Sequence, residues 1–111
     1  MRRDTQLLKG TVRLLILRLL DHEPMYGYQM IQHLKECSGG YFQLGEGALY
    51  PLLHEMEGNG FLRARWHDQE SGRGRRYYQL TAKGRKELAR RLETWEGFTR
   101  AVDLVLEASH V

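Results

Sequence analysis

The sequence predicts a mainly α-helical fold (α+β) in which three helices precede a two-stranded hairpin and a long C-terminal helix. Apolar residues recur with a helical period through the first half of the chain. Around a polar, glycine-rich segment the period changes to the alternation that is typical of paired strands. The last segment carries an apolar seam over about 25 residues, which would form a helix roughly 37 Å long.

The first helix is expected from about Gln6 to Asp21, where a wide apolar surface follows the helical period. Such a surface indicates a helix that is buried on more than one side. Pro24 then disfavours helix at the residue before it. A second helix is expected from about Tyr26 to Cys37, and the tripeptide SGG ends it, because glycine tolerates the left-handed conformation there.

The third helix is expected from about Gly47 to Gly58, with a one-sided apolar stripe at helical spacing. Four residues form this stripe: Leu49, Leu52, Leu53 and Met56. Ala48 and His54 lie on the opposite face. Pro51 also lies there and is expected near the start of the helix, because an interior proline costs about 3 kcal/mol.

The hairpin is predicted from alternating side chains on both sides of the polar segment DQESGRG. In the first strand, Leu62, Ala64 and Trp66 alternate with polar residues and form the inward face of a half-buried strand. In the second strand, Tyr78 and Leu80 face the core. The outward face carries cations and one tyrosine: Arg63, Arg65, Arg75 and Tyr77.

The last helix is expected from about Ala82 to Ala108, with Thr81 as its cap. Its seam has heptad spacing and contains Leu88, Leu92, Trp95, Thr99, Val102 and Leu106. Because this helix is longer than a domain of this size, the seam needs a partner. We therefore predict a first domain over residues 1–81 and a dimerisation helix over residues 82–111. The predicted dimer contacts are Leu88, Leu92, Trp95, Val102 and Leu106.

Composition favours one small domain in a reducing compartment. The chain has 111 residues and a formal net charge of +3, which permits a nucleic-acid partner without requiring one. The single cysteine, Cys37, excludes an intrachain disulfide. Neither a signal peptide nor an apolar run of roughly 20 residues is visible, so we expect a cytoplasmic protein with no membrane contact.

No pattern indicates an enzyme, a cofactor or a metal site. The sequence contains neither a nucleophile elbow nor a phosphate-binding loop. His33 and Cys37 are four residues apart on one helix face, but no second pair of ligands has the spacing of a closed zinc site. We predict no catalytic residues, no metal and no cofactor.

The third helix and the hairpin together favour duplex DNA as the partner. In a helix-turn-helix protein the start of the second helix enters the major groove, and Gly47 and Ala48 would allow a close approach there. The side chains of Tyr50 and His54 end in groups that can form hydrogen bonds. Three arginines of the hairpin match phosphate geometry: Arg73, Arg75 and Arg76. Three glutamates oppose this reading, so an ordinary solvated face stays open: Glu46, Glu55 and Glu57.

Four stretches resemble the PadR family of bacterial transcriptional regulators: LLKGTVRLLILRLL, YGYQM, GALYPLLHEMEGNGFL and GRGRRYYQLTAKGRKEL. They cover nearly the whole chain in the family's order, and the single terminal helix resembles the smaller subfamily. The resemblance implies a winged helix-turn-helix homodimer that binds a palindromic promoter site. It also implies a repressor, released by a phenolic or flat aromatic molecule at the dimer interface.

Residue roles follow from the resemblance position by position. It implies DNA contacts for Tyr26, Tyr50 and Pro51, and for the arginines of the hairpin, or wing. Trp95 falls where some members stack a tryptophan on ligands between subunits. The other expected effector contacts are Gln6, Lys9, Arg13 and Thr99, and the polar side chains of the first helix favour an anionic aromatic molecule. Ala48 departs from the threonine of many members, which removes one hydroxyl contact.

Two alternatives remain open from the sequence. One is a winged-helix protein–protein interaction module, which would not need a basic wing. The other is a constitutive DNA-binding protein that has no effector.

Overall fold

The computed structural model describes residues 5–67 and 74–108 and confirms a mainly α winged fold with a long C-terminal helix. The elements along the chain are α1 (Thr5–His22), β1 (Met25–Tyr26), α2 (Gly27–Cys37), α3 (Glu46–Gly58), β2 (Leu62–His67), β3 (Arg75–Leu80) and α4 (Ala82–Glu107). None of these helices has the combination of length and apolar character that a membrane span requires.

The described part of the sheet has three antiparallel strands in the order β1–β3–β2, whereas the sequence predicted two. In the added strand, Met25 pairs with Tyr78 and Tyr26 pairs with Tyr77. Tyr26 was predicted to begin the second helix, but it is the residue that caps α2. Its backbone N–H donates to Oε1 of Gln29, 3.1 Å away.

The core lies where α1, α2 and α3 meet the inner face of the sheet and the first turns of α4. Its most deeply buried side chains are Val12, Ile16, Leu17, Met30, Leu49, Leu53 and Met56. The wide apolar surface of α1 is explained by its position, because α1 contacts α2, β3 and α4. Burial of this surface holds the helices against the sheet.

The N-terminal part of α4 belongs to the same core. Thr81 caps the helix as predicted, because its side chain accepts a hydrogen bond from Gly84 N at 3.0 Å. Leu88 is only 4% exposed, and Leu92 packs against the core. The predicted dimer seam is therefore divided, since Leu88 already uses its apolar surface within its own chain. From Trp95 onward the large apolar side chains are exposed.

Pro51 lies inside α3, about one and a half turns after Glu46, rather than in the first turn. A proline lacks the N–H that would bond to the carbonyl of Gly47. Both residues are on the exposed face of the helix, where water can satisfy that carbonyl. The helix therefore continues through Pro51 to Gly58.

Candidate nucleic-acid interface

The side of α3 opposite its buried stripe is exposed to solvent. Leu49, Leu52, Leu53 and Met56 are all buried and anchor the helix. Gly47, Ala48, Pro51 and His54 are all exposed and lie on the other side. The predicted division of α3 is thus observed. Its outer face carries small side chains near the N-terminus, which favours close approach to a duplex.

Ion pairs neutralise two of the three glutamates that make α3 acidic. Arg13 of α1 donates from Nε and Nη2 to the carboxylate of Glu55, at 2.7 and 3.1 Å. Arg76 of β3 donates from Nη2 to both oxygens of Glu57, at 2.9 Å each. The acidic composition of α3 therefore overstates the negative charge that a nucleic acid would meet there.

Tyr50 lies on the flank of α3 and packs against the start of α2. Its ring lies so close to Gly27 that a Cβ at that position would come within 2.6 Å of the phenol oxygen. Only glycine therefore allows this contact without movement of the ring. Tyr50 still has 41% of its surface exposed, beside the exposed face of α3.

Arg75 is held over the ring of Tyr26 at the edge of the sheet. Its guanidinium carbon lies 4.4 Å from the ring centroid, which is the geometry of a cation–π contact. The Tyr26 ring packs edge-on against Tyr77, with centroids 5.3 Å apart. These contacts orient the Arg75 side chain while leaving the residue exposed.

Trp66 is the main departure from the predicted wing. The alternation placed it on the inward face of a half-buried strand, but it is 69% exposed. It does share a face with Leu62 and Ala64, yet β2 and β3 extend past the helices that cover this face. The same face carries Arg76, the direct cross-strand partner of Trp66. Burial falls along β2, from Leu62 at 3% to Trp66, because the core ends there.

A cleft of about 430 Å³ separates α3 from the wing, and we call it the α3–wing cleft. Its lining includes Tyr26, Tyr50, Trp66, Gly74, Arg75 and Arg76. Tyr78 lies at its base, where burial raises the pKa of the phenol above its ordinary value. Arg63 and Arg65 lie on the opposite face of the sheet, and the register of β3 gives Arg75 the same face as these two residues. The structure therefore brings together the two described arginines of the predicted DNA site with both of its tyrosines.

The predicted DNA contacts divide into two adjacent groups. Tyr26, Tyr50, Arg75 and Arg76 surround the α3–wing cleft. Gly47, Ala48, Pro51 and His54 lie on the exposed face of α3. Arg73 lies outside the described residues. Sequence reasoning missed Trp66, although a strand of six residues on so small a domain is a signal that its far end extends past the core.

The candidate effector residues whose side chains the structure describes do not all line one groove. A groove of about 340 Å³ between α1 and α4 is lined by Gly10, Thr11, Leu14, Arg90, Arg91, Thr94, Trp95 and Phe98. Arg13 instead faces α3 through Glu55. The hydroxyl of Thr99 donates to the backbone oxygen of Trp95, at 3.0 Å. The side chains of Gln6 and Lys9 lie outside the described part of the structure. Of the predicted set, only Trp95 lines this groove among the residues described.

Glu87 holds the two arginines that line the same groove. Arg90 donates to both of its carboxylate oxygens at 2.8 Å, and Arg91 donates to Oε2 at 2.7 Å. These hydrogen bonds, that from Arg90 above all, lower the pKa of Glu87 to about 2, although partial burial opposes them. The side chain is only 12% exposed. No group of three or more His, Cys, Asp or Glu residues within 5–67 and 74–108 could hold a metal ion.

Similar proteins agree with this architecture. A structure of a PadR-like transcriptional regulator from Bacillus cereus superposes with a TM-score of 0.82 at 28% identity, covering 95% of this chain and 100% of that chain. A PadR family transcriptional regulator from Eggerthella lenta has a TM-score of 0.81 at 30% identity, with 94% and 88% covered. An uncharacterized protein of Lysinibacillus sphaericus is 27% identical over 103 residues, which are 93% of this chain and 94% of that protein.

The family model that matches the chain has the description "Transcriptional regulator PadR-like family" and covers residues 16–90. This span runs from the middle of α1 through α3 and the described strands of the wing into α4. It contains the α3–wing cleft and the exposed face of α3. The chain belongs to the PadR-like family of transcriptional regulators.

Proposed function

We propose that this PadR-family protein is a homodimeric, sequence-specific DNA-binding repressor that a small aromatic effector releases from its operator. The observation that carries the proposal is the position of the exposed face of α3 beside a cleft lined by Arg75 and Arg76. In this arrangement α3 contacts base edges and the wing contacts phosphates. A protein–protein interaction module would not need cations beside a groove-sized helix.

The proposed roles divide the site into a part of α3 that contacts bases and a part that contacts the DNA backbone, formed by Tyr26 and the wing. Tyr50 and His54 form hydrogen bonds to base edges, while Gly47, Ala48 and Pro51 allow the close approach. Tyr26, Arg75 and Arg76 contact the backbone, and Arg73 does so from the wing tip. Residues 1–81 form the DNA-binding domain, into whose core the first turns of α4 also pack, and residues 82–111 form the dimerisation helix.

Dimerisation is supported by the exposed C-terminal half of α4. Its exposed large apolar side chains are Trp95, Phe98, Val102, Leu104, Val105 and Leu106. Leu92 flanks them, half-buried. Apolar side chains repeated along one exposed helix indicate a protein partner, and a second copy of the chain is the commonest choice. A two-fold axis here would place the two α3 helices on half-sites of a palindrome, about 34–36 Å apart.

The response to an effector is supported by the path from the α1–α4 groove to α3. Gly10, Thr11 and Leu14 of α1 form one wall of the groove beside Trp95. Arg13 of the same helix holds Glu55 of α3. A flat ligand that moves α1 would therefore also move the recognition helix. Arg90 and Arg91 in the lining favour an aromatic ligand with an anionic group.

Salt dependence tests DNA binding directly. An operator is first selected from a random duplex pool, and its affinity is then measured over a range of salt concentrations. A dimer that contacts six to eight phosphates should give a log–log slope of about −5 to −7. A flat salt response would contradict a DNA-binding function and would favour the protein–protein interaction module.

Fluorescence separates the regulated protein from a constitutive DNA-binding protein. In Trp66→Phe, Trp95 is the remaining tryptophan of the two in the chain. Phenolic acids and planar drugs are titrated against its emission in the absence of DNA. Saturable quenching by an anionic aromatic compound is expected, whereas no response to any member of the panel would favour a constitutive protein.

A further inference from the structure

Trp66 has no role in the function proposed above. Its side chain is 69% exposed, although an indole carries a large apolar surface. Single exposed apolar side chains are common on soluble proteins, so exposure alone does not indicate a ligand. Trp66 differs from such cases because it forms part of the wall of a concave site, the α3–wing cleft.

The indole is supported by the backbone of the hairpin. A Cβ at Gly74 would lie only 3.1 Å from Cε3 of Trp66, so the ring lies directly on this glycine. Arg76 is the residue opposite Trp66 across the two strands. A ring that is already fixed by its neighbours loses little side-chain entropy when a ligand binds against it.

The remainder of the cleft includes polar and cationic groups. Tyr50 lines the cleft from α3, and Arg76 contributes a guanidinium group from β3. Arg75 also lines the cleft, but its guanidinium lies over the Tyr26 ring. Arg76 makes both of its hydrogen bonds to Glu57 through Nη2. Within the described part of the chain, Nε and Nη1 of Arg76 donate to no other group. The cleft therefore combines an apolar ring with donors that suit an anion.

We infer that the α3–wing cleft is a subsite for the sugar–phosphate backbone of duplex DNA, an inference that rests on the proposed function. Trp66 packs against the apolar face of a deoxyribose, and Arg76 binds the adjoining phosphate. A sugar–phosphate chain alternates apolar C–H surface with negative charge. The cleft places the apolar ring of Trp66 beside the cationic Arg76, which complements both.

The position of the cleft relative to α3 favours a contact with the DNA backbone over a contact with the bases. A helix with its side chains is about 10–12 Å wide and fills a major groove of about 12 Å. When the exposed face of α3 enters the groove, the flanks of the helix therefore meet the groove walls, which are sugar and phosphate. Tyr50 lies on such a flank, and Trp66 faces the same cleft from the wing.

The test compares Trp66→Ala and Trp66→Phe with the parent protein, on the selected operator and on an unrelated duplex. Trp66→Ala is expected to weaken binding to both duplexes by the same factor, about fivefold, because a sugar contact carries no sequence information. Trp66→Phe retains an aromatic surface and should keep most of the affinity. The salt slope should not change with Trp66→Ala, since the indole has no charge. Arg76→Ala should reduce its magnitude by about 2 in a dimer.

Fluorescence provides an independent readout that does not depend on the stability of Trp66→Ala. Duplex DNA is expected to quench the emission of the parent protein but not that of Trp66→Phe, whose remaining tryptophan lies on α4. A loss of affinity confined to the operator would assign Trp66 to base readout. Quenching by single-stranded DNA alone would assign it to base stacking.

Each of those two results overturns the inference, as does an unchanged affinity of Trp66→Ala for both duplexes. Failure of the parent protein to bind any duplex would instead overturn the proposed function. If the parent protein binds duplexes and Trp66→Ala binds them with the same affinity, only the proposed subsite is ruled out. The two failures are therefore distinguished in one set of titrations.

Discussion

The two ends of the molecule each expose a tryptophan, and the neighbours of the two rings differ. Trp66 lies in a cleft with Arg75, Arg76 and Tyr50. Trp95 lies at the start of an exposed helix face that continues with Phe98 and aliphatic side chains. Arg90 and Arg91 line a groove with Trp95, but Glu87 holds both of them. A ring beside cations matches an anionic polymer, whereas a ring within an aliphatic stripe matches another apolar helix. The neighbours of an exposed aromatic ring, more than its exposure, indicate the class of partner.

The largest effect should come from a charge placed in the aliphatic stripe. Val102→Asp is expected to convert the proposed dimer to a monomer, because a carboxylate would be buried without a partner in the interface. Affinity for a palindromic operator should then fall about 100-fold or more, since the two half-sites are no longer bound together. Sedimentation velocity reports the mass, and DNA titration reports the affinity.

Arg100→Asp provides the matched control for Val102→Asp. It also introduces a carboxylate on an exposed position of α4, but outside the heptad seam. It should remain a dimer and retain most of the affinity. A dimeric Val102→Asp variant would show that the aliphatic end of α4 is not the interface, and would remove the contrast between the two ends.

The next effect concerns stability and tests whether the N-terminal part of α4 belongs to the fold. The pKa of Glu87 is lowered from 4.5 to about 2 by its hydrogen bonds from Arg90 and Arg91. The unfolded chain therefore takes up this proton at a higher pH than the folded chain. The stabilisation is complete above about pH 4.5 and is lost as pH falls toward 2.

Glu87→Gln should remove this part of the acid dependence. Denaturant unfolding at several pH values should show a loss of about 2 kcal/mol at pH 7 relative to the parent protein, and a difference that shrinks between pH 4.5 and 2. DNA affinity at pH 7 should change little, since Glu87 lies outside both exposed ends. A difference that stays constant with pH would show that the ion pairs do not stabilise the fold.

The sequence predicts the architecture well but places Trp66 incorrectly, for a physical reason. Alternation identifies which side chains share a face, and Trp66 does share one with Leu62. It does not reveal how far the covering helices reach along that face. For the same reason, heptad spacing joined Leu88 to Val102, although Leu88 packs within its own chain. Periodicity indicates the face on which a side chain lies. Whether that side chain is buried also depends on which element packs opposite it.

Other features have no local sequence signal at all. β1 is two residues long, so Tyr26 shows no alternation and was assigned to the following helix. The ion pair between Arg76 and Glu57 joins residues that are 19 positions apart, and that between Arg13 and Glu55 joins residues 42 apart. These pairs became visible only with the tertiary structure, and they change how the charge of α3 is understood.

A smaller effect should separate the phosphate contacts of the wing from the base contacts of α3 in the proposed DNA interface. Arg75→Ala is expected to weaken binding to all duplexes about equally, by about fivefold to tenfold, because it removes a phosphate contact. His54→Ala should instead change the preference among sites, since His54 lies on the exposed face of α3. Competition titrations with a panel of operator variants measure both. If Arg75→Ala alters the preference and His54→Ala does not, the two roles are reversed.

The smallest effect should be a gain in affinity. Glu57 holds Arg76 through two hydrogen bonds, but its carboxylate also offsets the charge that faces a phosphate. Glu57→Gln keeps an oxygen that accepts from Arg76 and removes the negative charge. Without this negative charge, affinity for all duplexes should rise about twofold to threefold. The gain is small because an exposed charge pair contributes less than about 1 kcal/mol.

Glu93→Gln removes the same charge from α4, and it should leave the affinity nearly unchanged because Glu93 is exposed far along the chain from the cleft. The gain from Glu57→Gln should shrink at high salt, where screening weakens the repulsion between its carboxylate and the duplex. A fall in affinity would instead show that Glu57 is needed to orient Arg76. In that case the fixed geometry of the α3–wing cleft, more than its net charge, would distinguish the DNA-binding end from the aliphatic end of α4.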